Sequence, residues 1–138
     1  MNWFIWALLS AFFAGATAVL AKVGVKEINS NLATAIRTVV ILIFAWAVAM
    51  FTKTQPLSAI SRKTWIFLIL SGFATGLSWL CYFRALQLGE ASQVAPVDKL
   101  SVVVAIVLAV IFLHEPLNWH HWVGGLFIFS GAVVLAYA

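Results

Sequence analysis

Apolar residues run along this chain in five long blocks, and polar residues fall mostly in the breaks between them. The blocks cover approximately Trp3–Ala21, Leu32–Phe51, Trp65–Phe83, Ser92–Leu113 and Trp122–Tyr137. A bilayer's hydrocarbon core is about 30 Å thick and a helix rises about 1.5 Å per residue, so runs of this length read as spanning helices. The pattern predicts an all-α fold: a polytopic membrane bundle of five transmembrane helices, with residues 1–138 forming one domain. The longest polar stretch, Thr52–Thr64, is too short to fold alone.

The breaks carry the chemistry that ends helices. Gly24 and the cluster Asn29–Ser30–Asn31 supply turn and capping groups between the first two spans. Pro56 breaks the chain before the third span, and Ser61 is placed to cap it. Gly89 is expected to end the third span, and Pro116 to stop the fourth. Trp3, Trp6, Trp65, Trp119, Trp122 and Tyr137 frame the block ends, as expected of amphipathic rings at headgroup depth. Small residues recur at helical spacing: Ala7, Ala11, Gly15 and Ala18 in the first span, Gly72 and Gly76 in the third, Ser101, Ala105 and Ala109 in the fourth. Such stripes let helix backbones approach closely. Asp98 continues the last stripe, which places its carboxylate toward protein.

Composition sharpens the picture at one point. The chain is 64% hydrophobic and 9% charged with mean hydropathy +1.09, so each charge inside a block is held against a solvation penalty. The net charge of +4 and pI near 9.7 do not indicate nucleic acid, because the cations are scattered through apolar segments. Cys81 is the only cysteine, which excludes an intrachain disulfide, and its apolar neighbours suggest a small buried hydrophobe. The first block has no basic residue before Lys22, unlike the positive start of a secretory signal.

The charges in or near the blocks are Lys22, Arg37, Arg84, Asp98 and Lys99. Alternating span directions put Lys22 and Arg84 at the ends of spans on one membrane side, opposite that of the N-terminus. Arg37 and the Asp98–Lys99 pair lie about six residues inside from the same side, so all fall within roughly 10 Å of that surface. Four cations and one carboxylate in one half of the membrane would make a vestibule of positive potential. Lys22 and Arg84 are near enough to the surface to snorkel to headgroups. Asp98 is short, so it must be protonated, solvated by a cavity or paired, a balance that suits a proton-coupled step. Adjacent helical residues diverge by about 100°, so Asp98 need not pair with Lys99, and Arg37 is a candidate cross-helix partner.

Pro96 removes one backbone donor and frees the Ser92 carbonyl, which predicts a kink beside a cavity, a plain kink, or a helix that starts late. Trp79, Tyr82 and Phe83 form an aromatic stripe close to Arg84. The candidate solute-binding residues are therefore Arg37, Trp79, Tyr82, Arg84, Pro96, Asp98 and Lys99. His114, Glu115, His120 and His121 match no metal-ligand spacing and read as a solvated loop. There is no nucleophile–base constellation, phosphate-binding glycine loop or carboxylate pair, so an enzyme is not expected. A channel would need a polar stripe through the whole bilayer, and the opposite halves of the spans are apolar.

Several runs carry a family resemblance. They are Ala33–Thr38, Gly76–Gly89, Glu90–Ser101, Phe112–Pro116 and Gly131. Together they resemble the EamA family of the drug/metabolite transporter superfamily, in its short five-helix bacterial and archaeal form. The resemblance covers essentially the whole chain, and Ala85–Ser101 is its most specific part. It implies a secondary transporter of small polar metabolites in a prokaryotic inner (cytoplasmic) membrane, using no bound cofactor. It also implies that this chain corresponds to one half of the usual ten-helix inverted-repeat body. Two copies in opposite orientation, a homodimer, would restore that body. The loop cations agree: Lys53, Arg62 and Lys63 on one side balance Lys22, Lys26 and Arg84 on the other. Glu115 matches a family motif position with a structural role. The partners implied are a small-molecule solute, the lipid bilayer and a second copy. The rival reading is a non-transporting membrane assembly or scaffold protein, which would have no need of the deep Asp98–Lys99 pair.

Overall fold

The computed structural model describes residues 2–138, and every regular element among them is helical. The helices are α1 (Trp3–Gly24), α2 (Ser30–Phe51), α3 (Arg62–Leu88), α4 (Ala91–Asp98), α5 (Leu100–Leu113) and α6 (Trp119–Ala136), with a short 3-10 turn at Leu57–Ala59. Five segments are long and apolar enough to cross a membrane: α1, α2, α3, α4 with α5 as one span, and α6. The five predicted spans are therefore present, mostly longer than the apolar blocks by a few residues. The extension is greatest in α3, whose 27 residues make it about 40 Å long, longer than the hydrocarbon core.

The caps explain the boundaries. The Asn29 side chain accepts from the N–H groups of Asn31 at 2.8 Å and Leu32 at 3.4 Å and starts α2. Ser61 Oγ accepts from the Thr64 N–H at 3.2 Å and starts α3. Asn118 caps α6 reciprocally with His121: the Asn118 side chain accepts from the His120 N–H at 3.1 Å, and the Asn118 N–H donates to His121 Nδ1 at 3.2 Å. The glycines mark helix ends as expected, α1 finishing at Gly24 and α3 stopping at Leu88 just before Gly89, although no described glycine takes a positive φ. The left-handed position falls instead on His114 (φ 53°) at the end of α5. Pro116 bars continuation there, and the N–H groups of His114 and Glu115 both turn back to the Ala109 carbonyl.

The chain divides into two compact units: Gly24–Gln87, and the residues up to Val23 together with Leu88–Ala138. In the first, Val25, Ser30, Ala33, Thr34, Phe83 and Leu86 are buried, with Leu86 fully so. In the second, α6 packs along both α4 and α5, and Ala18, Ala21 and Ala132 are buried. Where α5 meets α6, a Cβ on Gly125 would stand 3.9 Å from Ile106.

Two expectations fail on the outer surface. Cys81 is exposed rather than buried. Apolar neighbours along a membrane helix do not imply burial, because the outer face meets lipid. The small-residue stripes are also largely open: Ala7, Ala11, Gly15, Gly72, Ser101 and Ala105 are exposed, and no side chain stands near Gly15, Gly72 or Gly76.

Candidate functional site

Arg37 lies seven residues into α2, about 10 Å along its axis. Its guanidinium carbon sits 4.3 Å from the centre of the Trp79 ring and 5.4 Å from that of Phe83. Trp79 and Phe83 are four residues apart on α3 and so share a face. Both distances suit a cation over an aromatic ring, an attraction of about 0.5–2 kcal/mol depending on desolvation. Tyr82 packs edge-on to Phe83 with ring centres 6.4 Å apart. The Thr34 and Thr38 hydroxyls beside Arg37 are occupied, donating to the carbonyls of Ser30 at 2.9 Å and Thr34 at 2.7 Å. No hydrogen bond or ion pair to another described residue engages Arg37. Phe83 completes this cradle although the sequence reading left it out of the site; its spacing from Trp79 was the available signal.

Arg84 is engaged by a side chain of its own helix. Its Nη1 donates to Gln87 Oε1 at 3.1 Å, and Gln87 Nε2 donates to the carbonyls of Val25 at 2.9 Å and Ile28 at 2.7 Å. The Gln87 carboxamide thus ties the α1–α2 loop to the end of α3, with Arg84 fixing its orientation. In the other unit, Lys22 Nζ donates to the Gly89 carbonyl at 2.7 Å, a bond within the protein where the sequence suggested snorkelling to headgroups.

The fourth span is interrupted beside its charges. α4 begins at Ala91 and runs through Pro96 to Asp98, which rules out a late start at the proline. At Lys99 (φ −70°, ψ −7°) the ladder changes: its N–H donates to the Pro96 carbonyl at 3.0 Å, and the Val102 N–H donates to the Lys99 carbonyl at 3.0 Å. Both bonds have three-residue spacing, a tightened turn of the kind that marks a hinge inside a helix. Asp98 Oδ2 and Lys99 Nζ form an ion pair at 3.5 Å, with the Asp98 side chain 35% exposed and that of Lys99 55%. The two neighbours therefore do pair, through the length and freedom of the lysine stem. Pro96, Asp98 and Lys99 stand together in one unit, and Arg37, Trp79 and Tyr82 lie in the other. Two surface grooves, one along α3 at Gly72 and Gly76 and one between α5 and α6 at Gly125, are overwhelmingly apolar.

Five spans, an interrupted helix beside an ion pair and a charged side chain stacked on rings at membrane depth are the build of a polytopic membrane transporter. The chain matches the EamA-like transporter family over residues 1–137 and belongs to it. Among curated proteins, "Uncharacterized transporter in cobO 3'region" of a Sinorhizobium species is 57% identical over 136 residues, 98% of this chain and 96% of that protein. "Uncharacterized transporter YvbV" of Bacillus subtilis (strain 168) is 45% identical over 51 residues, 37% of this chain and 17% of that protein. No solved structure matches the chain.

Proposed function

We propose that this transporter moves a small polar metabolite across a prokaryotic inner membrane by alternating access, as a homodimer of oppositely oriented copies. The observation that carries the reading is the interruption of the fourth span at Lys99, next to the Asp98–Lys99 pair. Broken helices are a recurrent feature of secondary transporters, because their freed backbone groups and helix ends meet solute or coupling ion near the midplane. An ion pair that can open to bind a proton or a solute group gives the two states such a cycle needs. Five spans place the chain ends on opposite sides, and the near-even loop cations give little orientation bias. A two-fold axis in the membrane plane would then supply the inverted partner from one self-complementary surface.

The test is flux by the purified chain in lipid vesicles, screened over metabolite classes with and without a pH gradient. Asp98→Asn keeps size and removes the titratable group; it is expected to insert normally and to lose transport or its dependence on the gradient. Unchanged flux with an unchanged pH profile would reduce Asp98 to a structural residue.

A further inference from the structure

We infer that Arg37, stacked against Trp79 and Phe83, is the receptor for a single carboxylate on the transported solute. The inference rests on the transport reading and names the class of solute.

A guanidinium stays charged at all working pH values, so Arg37 cannot escape its low-dielectric depth by losing a proton. Such a charge needs a counter-charge or water. The unit that holds it, Gly24–Gln87, contains one acidic residue, Glu27, which lies in the α1–α2 loop. The one ion pair among the described residues joins Asp98 to Lys99. The protein thus meets the cation with two aromatic rings, and no described residue accepts a hydrogen bond from it. Cation–π contacts satisfy none of the guanidinium's N–H donors, so they remain for recognition. Their planar fork matches the two oxygens of a carboxylate in a bidentate pair.

Charge balance chooses between oxyanions. One carboxylate neutralises one guanidinium. A phosphate monoester carries about −1.5 to −2 at neutral pH and would leave surplus negative charge against the aromatic rings. The half-buried rings of Trp79 and Tyr82 offer apolar surface to the carbon skeleton that bears the carboxylate.

The experiment uses the full chain in detergent or nanodiscs, with acetate and benzoate as probes and their amides and phenyl phosphate as controls. The readout is Trp79 emission, taken as the difference between the wild type and Trp79→Phe. Saturable shifts with both carboxylates are expected, with the amides at least about tenfold weaker. Arg37→Lys keeps the charge and loses the fork, and should weaken benzoate roughly tenfold or more; Arg37→Gln should abolish the response. Circular dichroism matched to wild type certifies that each variant is folded, and the lysine variant decides the matter if the glutamine variant is not. The inference is overturned by amides binding as well as acids, by phenyl phosphate binding more tightly than benzoate, by no carboxylate response at millimolar concentration, or by an unaltered response in Arg37→Lys. Because binding is read without flux, the two readings fail separately. Carboxylate binding through Arg37 without movement in vesicles would sink transport alone. Undiminished benzoate flux by Arg37→Gln would sink this assignment alone.

Discussion

Replacing Gln87 with leucine keeps the volume of the side chain and removes every hydrogen bond it makes. Three are lost: to Val25 O at 2.9 Å, to Ile28 O at 2.7 Å, and from Arg84 Nη1 at 3.1 Å. A hydrogen bond contributes about 0.5–1.5 kcal/mol net, and exposed ones sit at the low end. The Val25 bond is part-buried and the other two are exposed. Their sum is therefore about 2 kcal/mol, close to thirtyfold in the opening equilibrium of the α1–α2 loop. Amide hydrogen exchange over Val25–Asn31, measured on the detergent-solubilised chain, should speed up by about that factor. Exchange in the middle of α2 should hardly change, since Leu86 and Val25 remain apolar and buried. An acceleration below about twofold would refute the reasoning and assign the loop's order to Val25 packing alone.

Leu86→Ala removes a side chain with no solvent exposure, and should cost about 2–5 kcal/mol, read as a lowered thermal midpoint in detergent. Pro96→Ala restores an N–H to bond the Ser92 carbonyl, so exchange across Ala91–Lys99 should slow while flux falls; undiminished flux would free the interruption from any role in transport. Arg62→Ala combined with Lys63→Ala should shift the two-sided signal of a side-sensitive reporter fused after Ala138 toward one side; a wild-type reporter found on one side alone would end the opposed-copy dimer.

The spans and their ends were legible in the sequence because their causes are local. Apolar length against bilayer thickness specified five crossings, and the capping groups Asn29 and Ser61 were visible one turn ahead of the backbone they bind. The EamA resemblance was legible as well, and the family match bears it out. The charged and aromatic candidates were readable as residue types, and their contacts were not. Arg37 and Trp79 do meet, whereas Arg84 belongs to the Gln87 clamp, Lys22 binds the Gly89 carbonyl, and Asp98 pairs with its neighbour.

Local chemistry along the chain sets where hydrocarbon must begin and end, since solvation penalties and capping bonds act within a few residues. Which groups claim one another is visible only once the helices are packed. Arg37 against two rings of α3, Gln87 on the carbonyls of Val25 and Ile28, and the outward turn of Cys81 and the small-residue stripes all depend on how one helix is rotated against the next. In a membrane both faces of a helix are apolar, so hydrophobic periodicity no longer records that rotation. It is set instead by packing and by a few long-range polar bonds.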